Sequence, residues 1–186
     1  MIIGIDVDDT MTNTSELLAE YAKKYFNSNN KILIKKILHP KKADTKIFEF
    51  YCKYLPEMMM KYTLKENVKE VIDRLRLKGH KIIIITARGT TKGLKQAEIT
   101  KKYFQKHKIN VDKIIFEQKD KTDACLKYKI DIMVDDSTYV LESLKGTDTK
   151  PLLFVSINNK DFKNNFDNVS NWLELEKYIM NSNKVK

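Results

Sequence analysis

The segment Ile2-Ile3-Gly4-Ile5-Asp6-Val7-Asp8-Asp9-Thr10 constrains the fold more than any other, because an apolar run too short for a helix empties directly into three carboxylates and a hydroxyl. Such a run reads as a buried strand that delivers acid to its own C-terminal end. In an open α/β sheet, ligands bind beyond the C-terminal ends of the strands. Asp6 and Asp8 are therefore expected at a crevice, with Gly4 permitting close backbone approach. Two carboxylates two positions apart repel each other, and keeping both ionised requires a cation or a proton between them. A plainer alternative is a solvated acidic turn whose Asp9 and Thr10 cap the next helix. Recurrence of the pattern later in the chain weighs against that alternative.

The remaining strands follow the same logic. Lys81-Ile82-Ile83-Ile84-Ile85 is a β-branched run, too uniform for a surface helix, that ends in Thr86-Ala87-Arg88-Gly89. Lys113 to Phe116 predicts a third short strand. Ile130 to Val134 predicts a fourth, which again ends in acid, at Asp135-Asp136-Ser137. Leu152 to Val155 predicts a fifth. Between the strands, apolar residues recur at helical spacing over 13–26, 66–78, 91–108 and 172–180. Gly79 is read as a terminator, Asn13 or Thr14 as caps, and Asp120 as the cap of a helix carrying Lys121 in its first turn. A lysine there is disfavoured by the helix dipole and needs solvent or an anion opposite it. The alternation of strands and helices implies an α/β fold, a Rossmann-like parallel sheet with helices on both faces.

The stretch between the first two strands is helical in composition, over 31–38 and again over 43–62. Pro40 and Pro56 are read as breaks, and Phe48, Phe50, Tyr51, Tyr54, Tyr62 and Met58-Met59-Met60 lie close together. Two readings of these aromatics stand together: core packing, and a lid over a substrate. Residues 158–168 form a polar loop with no clear signal.

Composition narrows the class. The chain has 186 residues, enough for one ordinary domain with a small insert, and no apolar run approaches the ~20 residues of a membrane span. Acid at positions 6, 8 and 9 interrupts the apolar stretch a signal peptide needs, so a cytoplasmic protein is expected. Cys52 and Cys125 are read as reduced, small apolar side chains. With His39, His80 and His107 scattered, there is no zinc-ligand spacing. The net charge of +10 is spread over dispersed lysines. That disfavours a polynucleotide partner and suits attraction of small anions. A homodimer stays open.

Asp6-Val7-Asp8-Asp9-Thr10, then Thr86, Lys121 and Asp135-Asp136, each after an apolar strand or at a helix start, resemble in order the four motifs of the haloacid dehalogenase superfamily of phosphohydrolases. More narrowly, the Asp-Lys-Thr at 120–122, the later acidic pair and the short length are similar to the 5′(3′)-deoxyribonucleotidase family and its bacterial relatives. The resemblance implies a core of residues 1–12 and 65–186, with a small helical cap over 13–64. It implies Asp6 as nucleophile forming an aspartyl-phosphate and Asp8 as general acid and base. Mg²⁺ would lie among Asp6, Asp8, Asp135 and Asp136, with Asp136 the more direct ligand. Thr86, Ala87, Arg88 and Lys121 would bind the substrate, with Thr86 and Lys121 also counted as catalytic. The implied activity is Mg²⁺-dependent phosphomonoester hydrolysis, with a nucleoside monophosphate as substrate. The alternatives are a sugar-phosphate or nucleic-acid-end phosphatase, and a non-catalytic nucleotide- or protein-binding domain of the same fold.

Overall fold

A computed structural model describes residues 1–30, 37, 44–89, 93–161 and 163–182. Its centre is a six-stranded sheet, parallel at every pairing, in the order β3-β2-β1-β4-β5-β6. The strands are β1 (Ile2–Ile5), β2 (Lys81–Ile85), β3 (Lys113–Ile115), β4 (Ile132–Asp135), β5 (Lys150–Phe154) and β6 (Asn168–Val169). β6 lies at the end of the polar loop and carries too little apolar sequence to be legible as a strand.

Because side chains alternate across a strand, each apolar run feeds both faces of the sheet. Ile3, Ile5, Ile82, Ile84, Ile132, Val134, Leu152 and Phe154 join one core cluster, while Ile83, Ile85, Met133 and Leu153 join the other. Helices α3 (Val68–Leu77), α4 (Gln96–Lys106) and α7 (Trp172–Ser182) pack into the first cluster through Val71, Tyr103 and Trp172. Helices α5 (Thr122–Tyr128) and α6 (Thr138–Ser143) cover the second through Cys125 and Leu141. Cys125 is thus the core thiol expected, whereas Cys52 is exposed on a helix and fills no core space.

The crossover from β1 to β2 carries α1 (Thr14–Tyr25) and α2 (Thr45–Lys61) before α3. The chain leaves the sheet layer and returns to it at one place, where Asn13 N donates to Thr63 O at 3.0 Å and Lys65 N to Met11 O at 2.9 Å. Beyond that gate α1 and α2 pack through rings: Tyr21 and Tyr25 meet Tyr54 edge-on at 5.5 and 5.6 Å, around a fully buried Phe50.

Several local expectations are corrected. Pro56 does not break a helix but lies inside α2. The carbonyl its missing N–H would have served belongs to exposed Cys52, while Phe50, Leu55, Met58 and Met59 are buried on either side and hold the helix together. The N-cap position of α1 is Asn13, but its side chain makes no capping bond; the helix start is served instead by Asp9, which accepts from Ser15 N at 2.9 Å. The helix expected from residue 91 begins at Gln96. Its first expected residues, like the helical stretch over 31–38 apart from Ile37, with Pro40 and His39, fall outside the described residues.

Gly4 is required where β1 crosses the second cluster. A Cβ there would meet Met133 Sδ at 2.7 Å, Ile130 Cγ2 at 3.1 Å and Ile85 Cδ1 at 3.3 Å. Replacing it with valine overfills this face and is expected to cost about 1–3 kcal/mol in urea unfolding. An unchanged midpoint would mean the sheet has slack at its centre.

Candidate active site

Four loops at the C-terminal edge of the sheet bring the polar residues together. After β1 the chain turns tightly, with Met11 N and Thr12 N both donating to Val7 O. Asp9 takes a left-handed φ of +56° that an aspartate tolerates. This turn sets Asp6 and Asp8 on either side of Val7, whose side chain is buried in the core. β4, the neighbour of β1, ends at Asp135, with Asp136 next in the chain.

The two strand tips are joined by Lys121. Its Nζ donates to Asp6 Oδ1 at 2.5 Å and to Asp135 Oδ2 at 2.6 Å, with all three side chains almost wholly excluded from solvent. Lys121 is the N-cap residue of α5 rather than part of its first turn. Asp120 sits beside it and accepts from Thr122 N at 2.8 Å, which shapes the turn. The anion needed opposite this lysine is therefore supplied twice.

Asp8 has a cation of its own. Arg88 Nε donates to Asp8 Oδ2 at 2.9 Å and Arg88 Nη2 to Asp8 Oδ1 at 2.7 Å, a bidentate pair, and Thr14 Oγ1 donates to Asp8 Oδ1 at 2.7 Å. Arg88 itself is buried. Its Nη1 donates to Thr100 Oγ1, and its guanidinium lies 5.7 Å from the centre of the Tyr62 ring. Thr86 is fully buried, and its hydroxyl accepts from Arg88 N at 3.3 Å; Ala87 is exposed between them.

Electrostatics separates the carboxyls. Burial drives Asp6 up; Lys121 opposes this, the charges of Asp135 and Asp8 reinforce it, and the group settles at about 7. Burial raises Asp8 too, but the Arg88 guanidinium and the hydrogen bonds from Arg88 and Thr14 outweigh it and hold Asp8 below its ordinary range. Asp136 is well above its ordinary value through burial and the charges of Asp135, Asp6 and Asp9. Carboxylate oxygens of Asp6, Asp135 and Asp136 lie within 4.8 Å of one another.

This donor set fits a small hard cation. Both oxygens of Asp135 are already engaged, Oδ2 by Lys121 and Oδ1 by Ser137 N at 2.9 Å. Asp6 and Asp136 each keep one oxygen that receives no hydrogen bond from the described residues.

A further set of contacts had no sequence signal. Asn158 Nδ2 donates to Asp9 Oδ2 and to Ser15 Oγ, both at 2.9 Å, and Ser156 Oγ donates to Asp136 Oδ2 at 3.0 Å. In the sequence these residues are indistinguishable from a solvated polar loop.

A parallel sheet with paired acids and a shared lysine at its C-terminal edge defines a phosphohydrolase of the haloacid dehalogenase type. The model of the family described as 5′ nucleotidase, deoxy (pyrimidine), cytosolic type C matches residues 1–185, and the chain belongs to that family; it is a phosphatase. Solved structures share the fold. A protein described as a predicted phosphatase from Clostridium acetobutylicum superposes with a TM-score of 0.70 at 16% identity, over 97% of this chain and 98% of that one. A haloacid dehalogenase-like hydrolase from Streptococcus pneumoniae gives 0.70 at 14%, over 96% and 97%. CbbY from Rhodobacter sphaeroides, in complex with phosphate, gives 0.65 at 16%, over 94% and 95%. No curated protein matches the chain in sequence.

Lys121→Met strands two buried carboxylates without their cation and is expected to cost about 3–5 kcal/mol in chemical denaturation. Asp6→Asn should act in the opposite sense. Because the folded Asp6 pKa is raised to about 7, ionising it costs stability progressively as pH climbs from its unfolded value through neutrality. With EDTA present, the melting temperature of Asp6→Asn relative to wild type should be higher at pH 8 than at pH 5. No difference between the two would mean Asp6 is not held up by burial.

Proposed function

We propose that the protein is a Mg²⁺-dependent 5′-nucleotidase acting on nucleoside or deoxynucleoside monophosphates, with Asp6 as nucleophile and residues 13–64 as a small cap over a core of residues 1–12 and 65–186. The observation that carries the chemistry is Lys121 shared between Asp6 and Asp135, with Asp8 two residues beyond the nucleophile. The family description supports the nucleotide part. Tyr62, whose ring lies 5.7 Å from the Arg88 guanidinium, brings an aromatic side chain of this region to the site and supports contact with a base there.

Hydrolysis of a phosphomonoester sets an anion against an anion, so the site must first cancel charge. Lys121 does this from the protein side: it keeps an Asp6 oxygen fixed and balances a phosphoryl oxygen as charge shifts. Mg²⁺ held by the free oxygens of Asp6 and Asp136, with the Asp8 backbone carbonyl, would supply the remaining neutralisation and lower the Asp6 pKa into the ionised range. Asp6 attacks phosphorus, the bond from phosphorus to the ester oxygen breaks, and a protonated Asp8 gives its proton to the departing alkoxide. Asp8 then takes a proton from water, the resulting hydroxide attacks phosphorus, and Asp6 and inorganic phosphate are released. Thr86 contributes a hydroxyl to the phosphoryl oxygens, and Ala87 leaves backbone accessible beside it.

Asp8 must leave its bidentate pair with Arg88 to serve as an acid. Substrate anion drawing Arg88 toward itself would free it, which keeps Arg88 among the substrate-binding residues.

Phosphate release should be measured on ribo- and deoxyribonucleoside 5′- and 3′-monophosphates, sugar phosphates and a 3′-phosphorylated oligonucleotide, with Mg²⁺ and with EDTA. Turnover is expected on 5′-nucleotides with Mg²⁺ only, and Asp8→Asn should lower it by about 10²–10⁴-fold. Turnover confined to sugar phosphates would remove the substrate assignment, and an undiminished rate in EDTA would remove the metal.

A further inference from the structure

We propose that the loop Ser156–Asn159, which follows β5, is a positioning element for the cation site: Ser156 and Asn159 fix Asp136 so that its free oxygen faces Asp6, and Asn158 holds the turn after β1 in register with it. The proposal rests on the metal-dependent reading above and adds residues that none of the motifs contains.

Asp136 needs such support. Asp6 and Asp135 share Lys121, whereas no lysine or arginine among the described residues pairs with Asp136. Left alone, a carboxylate at a strand end rotates about its terminal torsion, which is broad and weakly restrained. Ser156 Oγ donating to Asp136 Oδ2 at 3.0 Å removes that freedom and so determines where the other oxygen points. Asn159 acts on the backbone. Its Nδ2 donates to Asp136 O at 2.8 Å and to Phe154 O at 2.9 Å, while its Oδ1 accepts from Ser156 N at 3.0 Å. One buried amide therefore ties the end of β4, the end of β5 and Ser156 together.

Asn158 completes the arrangement from the other side. Its amide donates to Asp9 Oδ2 and Ser15 Oγ, and Ser15 Oγ donates in turn to Asp9 Oδ2. Asp9 belongs to the turn that places Asp6 and Asp8. A single loop thus braces both acid-bearing strand tips, and the two carboxylates with a free oxygen are kept at a fixed separation. Hydrogen-bond partners that orient a ligand in this way typically change metal affinity by about 10–100-fold when removed.

The test is Mg²⁺ binding to the full chain by isothermal titration calorimetry without substrate, with metal-free thermal unfolding alongside, for wild type, Ser156→Ala, Ser156→Cys and Asp136→Asn. Both Ser156 variants should bind Mg²⁺ about 10–100-fold more weakly while melting near wild type in the absence of metal. A merely structural serine would show the reverse, a lowered metal-free melting temperature with unchanged affinity. Wild-type affinity in a folded Ser156→Ala protein overturns the proposal. Should that variant fold poorly, Ser156→Cys, which fills the space with a weak donor, is read by the same criterion. Asp136→Asn separates the two levels. Wild-type-like binding there would remove the metal site itself, whereas loss there beside unchanged binding in the Ser156 variants would remove only the positioning role.

Discussion

The ammonium of Lys121, buried between Asp6 and Asp135, is the interaction on which the rest of the site depends. Two adjacent parallel strands each end in a carboxylate at nearly the same height, and bringing them together in a low-dielectric setting is prohibitive without a cation. Lys121 reaches them from the start of α5, a helix that packs on the other face of the sheet. Its own charge is secured in return: burial works against it, but Asp135 and Asp6 more than offset that and keep it protonated well beyond neutrality. A mutual arrangement of this kind specifies geometry more than it adds stability, since either partner alone is costly to bury.

Lys121 and Arg88 do not balance the site completely. Arg88 answers Asp8 and Lys121 answers Asp6 and Asp135, which leaves Asp136 with no cation among the described residues; burial first, and then neighbouring carboxylates, raises both Asp136 and Asp6. Two oxygens that accept nothing from the described residues, in a cluster whose carboxylate oxygens lie within 4.8 Å of one another, could hold a hard cation, which would favour the ionised forms of both acids. Phosphoryl transfer asks for the same thing, because its difficulty lies in anion repulsion rather than in bond making. The stability the protein forgoes at its strand tips and the charge neutralisation its chemistry needs are thus one electrostatic fact.

Much of this was readable from local sequence. The run of β-branched residues at 82–85 and the apolar runs before Asp6 and Asp135 fix the strands, because a segment buried on both faces has little choice but to be uniformly apolar. The acids at their ends then fall at one edge of the sheet by topology. What could not be read were contacts set by long-range packing. Nothing near Arg88 indicates that it turns back onto Asp8, since that depends on Thr100 and Tyr62 lining its path. Pro56 looked like a break because its local penalty is visible in sequence, whereas the compensating burial of Phe50 and Met58 is not. Ser156, Asn158 and Asn159 were silent for the opposite reason: polar residues in a loop are ordinarily solvated, and only the fold shows that these side chains turn inward.

The central claim is that Asp6 attacks phosphorus and carries the phosphoryl group. It is tested most directly by quenching the enzyme during turnover, reducing with borohydride and mapping the peptides by mass spectrometry, since reduction of an aspartyl-phosphate converts that residue to homoserine. The account predicts homoserine at position 6, dependent on both substrate and Mg²⁺. Turnover with an unmodified Asp6, or with the modification at Asp8, would contradict it.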